Sequence, residues 1–215
     1  MPTYRAFRKL CLAACLIPVM ASLQSASPDG SATQPEPSIG ASLGAAASPQ
    51  LYSRFIGSWN GKLEYRDFSD AASSPGAPTP KRVTLPTMLD VMLSAAGDAM
   101  VFHYTYDDGP GKTVQDRETV SLSGSLSRYL EVSEDGKERS EFHATGLSSL
   151  QGEAPAHVVL EGKGEENGKA VDVRTTIDIN YRTFTILRET RQPGQEFLFR
   201  HQYSFERVAS AKPVK

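Results

Sequence analysis

The residues best suited to chemistry lie in the last predicted strand, where a histidine alternates with aromatic side chains. The segment reads Phe197-x-Phe199-x-His201-x-Tyr203-x-Phe205-x-Arg207. Because side chains alternate across a strand, these residues are predicted to share one face, and the polar residues between them to face solvent. An imidazole among aromatic rings is either a buried histidine bonded to tyrosine or backbone, or a polar anchor for a ligand head group. The candidate lining residues of a ligand site are Tyr104, Phe199, His201 and Tyr203.

Arg188 is a further candidate for binding a ligand. It shares a strand phase with Phe184 and Ile186, so its side chain is predicted to face inward. A buried guanidinium without a partner is costly. We therefore expect Arg188 either to pair with a carboxylate or to bind an anionic group of a ligand.

Other chemistries find little support in the motifs. The run Asp108-Gly109-Pro110-Gly111-Lys112-Thr113 matches a phosphate-binding loop only superficially, because Tyr106 replaces the first required glycine and a strand follows it. The sequence has no G-x-S-x-G nucleophile elbow and no H-E-x-x-H motif. An inward carboxylate beside His201 would favour an enzyme, and none is identified. We predict no catalytic residues, no metal ligands and no cofactor, and the formal net charge of -2 excludes a polybasic nucleic-acid binder.

About ten predicted strands must position these residues. From Leu51 to Val208 the sequence alternates with period two, and glycine-containing turns separate the alternating runs. Pro86 removes a backbone donor within the second strand, so we expect a bulge or a break in pairing there. An antiparallel meander of this length leaves two exposed edges unless its first and last strands pair. The sequence thus predicts an all-β fold: a single antiparallel up-and-down β-barrel of about ten strands over residues 51–208, with a short N-terminal helical turn.

The start of this domain resembles the calycin-type barrels. Phe55-Ile56-Gly57-Ser58-Trp59-Asn60-Gly61 contains the G-x-W sequence found at the start of lipocalins, fatty-acid-binding proteins and nitrobindins. The resemblance implies a barrel in which a basic residue of the last strand, here Arg207, lies over Trp59 and seals one end, so we expect both residues to be structural. The fatty-acid-binding branch implies a carboxylate held by an interior arginine such as Arg188. The nitrobindin branch implies a histidine that holds haem, for which His201 is the candidate.

The first fifty residues are predicted to lie outside the barrel. Basic residues precede an apolar run from Leu10 to Met20, which is typical of an export signal and too short to span a bilayer. We predict a signal peptide over residues 1–21 and a disordered tether rich in Ala, Ser and Pro over residues 22–50. Residues 209–215 are predicted to form a C-terminal tail.

Cys15 offers a competing interpretation of the N-terminus. Leu12-Ala13-Ala14-Cys15 matches a bacterial lipobox, but the apolar run continues beyond the cysteine. We therefore expect a secreted or periplasmic protein in preference to a lipid-anchored one.

The sequence favours an exported, non-enzymatic barrel that binds a small, mainly apolar molecule in its interior, without a nucleic-acid partner or a membrane span. One alternative is a structural or envelope-interaction protein whose barrel is packed solid. The other is a lipocalin-like enzyme or a haem-binding, nitrobindin-like barrel. The sequence specifies neither the ligand nor the oligomeric state.

Overall fold

The computed structural model describes residues 51–67, 81–125, 127–166 and 168–209, which form a closed ten-stranded barrel. The predicted all-β fold is confirmed, because consecutive strands pair antiparallel and the first strand pairs with the last. The predicted signal peptide, the tether and all but the first residue of the tail lie outside the described residues. Within the described segments, no helix is both long and apolar enough to cross a membrane.

The strands follow the predicted alternation closely. They are β1 Gly57–Asp67, β2 Lys81–Leu93, β3 Met100–Asp107, β4 Thr113–Ser123, β5 Arg128–Ser133, β6 Arg139–Thr145, β7 Ala156–Glu166, β8 Lys169–Ile179, β9 Thr183–Arg191 and β10 Leu198–Arg207. A short 3-10 helix, Leu147–Gln151, joins β6 to β7. The register between β1 and β2 runs through Pro86 without a shift, and pairing with β3 begins at Thr87. Of the two outcomes expected at Pro86, no bulge forms, and the break in pairing is seen on the side of β3, where the ladder starts only at the next residue.

Barrel closure depends on a close approach between β1 and β10 at Gly61. A Cβ atom on this residue would lie 2.0 Å from the backbone oxygen of Ser204. That distance is far below any contact that two non-bonded heavy atoms tolerate, so a larger residue would push the closing strands apart. Gly61 thus acts through its size, at the seam that completes the barrel.

One end of the barrel, the sealed end, is closed by aromatic rings and a single turn. Its residues are Phe55, Trp59, Phe102, Phe184 and Arg207. The turn forms where the amide of Phe55 donates to the carbonyl of Tyr52 at 3.0 Å. Tyr52 and Phe55 are buried against the barrel, so the turn covers the core. This turn stands where the short helical turn was predicted.

The G-x-W motif has a direct physical reason at this end. The guanidinium carbon of Arg207 lies 4.0 Å from the centroid of the Trp59 ring, and the indole nitrogen donates to the Phe55 carbonyl at 2.8 Å. Gly57 adopts a φ of 130°, and a Cβ there would lie 2.6 Å from a guanidinium nitrogen of Arg207. Glycine two residues before Trp59 therefore leaves room for the arginine that covers the indole.

Candidate functional site

Beyond the aromatic rings of the sealed end, the inner wall of the barrel becomes polar. We call this region the polar cluster, and its residues are Tyr104, Glu118, Tyr129, Glu131, Arg188 and His201. They come from β3, β4, β5, β9 and β10. Each alternates along its strand with residues of the outer wall, so the closed barrel brings them together. The structure therefore places four sequence candidates, Tyr104, Arg188, His201 and Tyr203, on the inner face.

Glu118 has a strongly perturbed carboxyl group. The Tyr104 hydroxyl donates to its Oε1 atom at 3.1 Å. Burial, followed by repulsion from Glu131 and from Asp116, raises the pKa of Glu118 to about 8. The side chain is therefore a neutral carboxylic acid at neutral pH, and it can donate a proton or accept one back.

Arg188 is paired, which resolves the two possibilities left open by the sequence. Its guanidinium lies 3.7 Å from Glu131, and the two side chains keep only 12% and 18% of their exposure. Glu131 also hydrogen-bonds to Tyr129. Burial raises the pKa of Glu131, and the attraction of Arg188 opposes that rise. One donor of Arg188 remains unused, because its buried Nε atom has no hydrogen-bond partner.

His201 faces the same interior as a neutral imidazole. Burial, with a smaller contribution from the positive charge of Arg188, lowers its pKa to about 3. Its ring lies edge-on to Tyr203, with centroids 5.5 Å apart. The other three histidines, His103, His143 and His157, alternate with inward-facing neighbours and lie on the outer wall. His201 is thus the histidine placed to contact an interior ligand.

Tyrosine rings connect the polar cluster to the aromatic core. Tyr104 lies 5.1 Å from Tyr203 between ring centroids and stacks on Tyr106 at 6.0 Å. The hydroxyls of Tyr106 and Tyr203 are hydrogen-bonded at 2.9 Å. These rings present flat apolar faces beside polar edges, a combination suited to a small molecule with an apolar body and a polar group.

Thr175 adds a polar atom without a partner. It is only 3% exposed, and its hydroxyl oxygen makes no hydrogen bond within the described residues. Its Cα pairs with that of Arg188 across β8 and β9, so both side chains share the inner face. A buried hydroxyl without a partner costs about 1–3 kcal/mol. The inner wall therefore presents unpartnered polar atoms at two neighbouring positions.

Phe199 does not belong to this interior. The register of β10 against β9 shifts between Phe199 and His201, and Arg200 is the extra residue. Phe199 packs beneath the guanidiniums of Arg66 and Arg82, 6.0 and 4.5 Å from its ring centroid. Both arginines lie on the outer wall, so the expectation that Phe199 lines the interior with His201 is wrong. The β-bulge inverts the alternation at this point.

The same bulge turns Arg200 inward at the start of β10. Its Nε atom donates to the Thr190 hydroxyl at 2.5 Å, and its guanidinium forms an ion pair with Glu166. The Thr190 hydroxyl donates to Glu166 at 2.8 Å. The expectation that Arg200 faces solvent on the outer wall is therefore wrong as well. The charges of Arg200 and Glu166 are therefore paired with each other.

The sequence interpretation missed the two interior carboxylates, Glu118 and Glu131. A signal was present, because Glu118 is in phase with Val120 and Leu122, and Glu131 is in phase with Tyr129. The statement that no inward carboxylate accompanies His201 is thus corrected. What the sequence does not display is their partners, which come from distant strands.

The arrangement can bind polar groups and move protons. Among the described residues, no group of three His, Cys, Asp or Glu side chains is arranged to ligate a metal. His201 is flanked by Tyr203 and by the guanidinium of Arg188.

Comparison with known proteins does not assign the chain to a family. Neither a scan against protein-family models nor a search of curated proteins gave a match.

Proposed function

We propose that this protein is exported and that its barrel binds a small, mainly apolar molecule, whose polar group contacts the polar cluster. The observation that carries the proposal is the pair of unpartnered buried atoms, Arg188 Nε and Thr175 Oγ1, on an inner wall lined by tyrosines. Buried polar groups in folded proteins normally have partners. Different groups of a ligand can satisfy the two atoms: an oxygen atom would accept from Arg188 Nε, and either a donor or an acceptor could bond to Thr175 Oγ1.

The closed ten-stranded barrel also supports this proposal through its architecture. It is compatible with the calycin-type barrels that the G-x-W motif resembles, in which ligands are bound inside. Export is proposed from the basic and apolar residues at the N-terminus. Intact-mass measurement of the secreted protein would test it, because cleavage after Ala21 and a lipid on Cys15 give different masses.

Binding in the interior is tested with the neutral apolar dye N-phenyl-1-naphthylamine. We expect its fluorescence to rise on addition of the full chain and the affinity to fall at least tenfold in Tyr203→Leu, which changes the inner wall. Phe199→Leu is the matched control, because it alters an aromatic residue on the outer wall of the same strand. Equal dye binding by both variants and the unaltered protein would place the dye outside the barrel and contradict the proposal.

A second candidate function is contact with another macromolecule through the outer wall. Met88 and Met92 lie on the outer face of β2, and each is 53% exposed. Exposed apolar residues grouped on one strand favour a binding surface. If the Tyr203 and Phe199 variants behave alike with the dye, this alternative gains support.

A further inference from the structure

More acidic than basic side chains face the polar cluster. The carboxylates that face it are Asp116, Glu118 and Glu131, and the guanidinium is that of Arg188. His201 adds no charge, because burial keeps it neutral. At the barrel rim, Arg200 and Glu166 neutralise each other. Arg188 already pairs with Glu131, so Glu118 has no cationic partner of its own.

This balance disfavours an anionic ligand. A bound carboxylate would add a negative charge beside Glu131 and Asp116, in a region where Coulomb interactions are stronger than in water. The guanidinium that would compensate it is shared with Glu131 at 3.7 Å. The interior arginine therefore does not act here as an anchor for a fatty-acid-like ligand.

A cation changes the balance in the opposite direction. Glu118 is protonated near neutral pH because desolvation and two neighbouring carboxylates disfavour its anion. A bound ammonium group can take the place of that proton, so the total charge of the interior stays constant. Tyrosine faces around Tyr104 and Tyr203 attract cations through their ring electrons.

We propose that the polar cluster binds a small organic amine in its protonated form, with the ammonium group against Glu118 and the apolar body among the aromatic rings. This inference rests on the proposed function, since it names the class of molecule that the interior binds. The ammonium enters as the carboxylic acid of Glu118 releases its proton to solvent, so the exchange balances in charge and in protons.

The proton exchange predicts a definite dependence on pH. Below the pKa of Glu118, each unit of rising pH should strengthen amine binding by up to about tenfold, and the gain should level off above pH 8. The groups that act on Glu118 are Tyr104 on β3, Asp116 on β4, Tyr129 and Glu131 on β5, and Arg188 on β9. From β10, His201 lies near Arg188 and Tyr203 lies against Tyr104.

The test compares three probes that share one apolar body: 3-phenylpropan-1-amine, 3-phenylpropan-1-ol and 3-phenylpropanoate. Isothermal titration calorimetry of the full chain at pH 7, in two buffers of different ionisation enthalpy, measures the affinity and the protons released. We expect the amine to bind at least tenfold more tightly than the alcohol, the carboxylate to bind most weakly, and about one proton to be released per amine.

Variants test whether Glu118 is the residue responsible for the amine preference and the proton release. Glu118→Gln should abolish the proton release and remove most of the amine preference while leaving alcohol binding within about twofold. Glu141→Gln is the control, because Glu141 is an exposed carboxylate paired with Arg128 on the outer wall, and it should change neither quantity. Circular dichroism of each variant verifies that it is folded.

The outcomes separate the two proposals. Alcohol or carboxylate binding that equals or exceeds amine binding overturns the ligand class but leaves interior binding intact. Amine preference that survives unchanged in Glu118→Gln also overturns it. If none of the three probes binds and the neutral dye does not bind either, the proposed function itself fails.

Discussion

At the sealed end, the polar atoms of Trp59 and Arg207 find their partners in the backbone. The indole donates to Phe55, and the guanidinium donates to the carbonyls of Tyr181, Ile56 and Arg54 at 2.6–2.9 Å. In the polar cluster the partners are titratable side chains, such as the pairs of Tyr104 with Glu118 and of Arg188 with Glu131. The comparison shows that polarity inside a barrel can be satisfied either by fixed carbonyls or by groups that gain and lose protons.

This difference separates residues that stabilise the fold equally at every pH from residues whose contribution depends on pH. Carbonyl partners keep their hydrogen-bonding character at every pH, so the sealed end should stabilise the fold uniformly. Side-chain partners change charge, so the polar cluster should make the free energy of unfolding depend on pH and on bound molecules. The four predictions below test this division, from the largest expected effect to the smallest.

Removing the indole at the sealed end should have the largest effect. Trp59→Ala deletes a side chain that is 1% exposed, and we expect the free energy of unfolding to fall by about 3–5 kcal/mol. Urea unfolding followed by circular dichroism measures it, since Trp59 is the only tryptophan and fluorescence would be lost. The loss should be the same at pH 5 and pH 8, and a loss that differs strongly between them would contradict the division.

Glu118 should destabilise the fold as pH rises. Its carboxyl has a pKa of about 8 in the fold and an ordinary value of 4.5, so the folded state retains a proton that the unfolded chain releases between those values. The free energy of unfolding should decrease from pH 5 to pH 8 by roughly 2–3 kcal/mol, allowing for partial solvent screening. Glu118→Gln, which mimics the protonated acid and keeps an acceptor for Tyr104, should flatten this decrease.

The control for Glu118 is Glu141, a carboxylate on the outer wall whose pKa is shifted in the opposite direction. The hydrogen bond from Arg128 lowers the pKa of Glu141, so Glu141→Gln should leave the decrease above pH 5 intact. A decrease that persists in Glu118→Gln at full size would show that another group is responsible.

His201 should make the free energy of unfolding decrease at acidic pH. Its pKa is about 3 in the fold against an ordinary 6.5, so the unfolded chain takes up a proton that the folded state refuses. Stability that is present above pH 6.5 should therefore be lost as pH falls toward 3, by roughly 1–2 kcal/mol after screening. His201→Gln should remove this part of the acid sensitivity when unfolding is measured between pH 4 and pH 7. If His201→Gln loses as much stability at acidic pH as the unaltered protein, the imidazole must be exposed to water in the folded state.

Strand alternation was sufficient to predict much of the fold and part of the site. It placed Tyr104, His201 and Tyr203 on the inner face, and the G-x-W motif pointed to the contact of Trp59 with Arg207. Inward carboxylates were missed because Glu118 is acceptable inside only through Tyr104, a residue from another strand. Such partners are set by register and closure, which no single strand encodes.

The other feature that the sequence did not predict was the local irregularity of the strands, such as a β-bulge. The missing amide at Pro86 predicted a bulge or a break in pairing, and only the break is observed, because the proline lies where β2 is not yet paired with β3 and no donor is required. The bulge that does occur, at Arg200, has no proline or glycine to indicate it. It is stabilised by the ion pair with Glu166 and the bond to Thr190, which are long-range contacts. A bulge held by distant partners cannot be read from its own residues.

The smallest expected effect concerns Phe199, which the bulge places on the outer wall. Phe199→Ala should lower the free energy of unfolding by only about 1 kcal/mol, because it loses cation–π contacts with Arg66 and Arg82 at a partly exposed site. Phe205→Ala, on the inner face of the same strand and 2% exposed, should cost about 3–5 kcal/mol when both are measured by urea unfolding. Because the two residues would share a face in a regular strand, equal losses would mean that β10 has no bulge. A large difference shows that Phe199 belongs to the outer wall although it lies two residues before His201, which faces the interior.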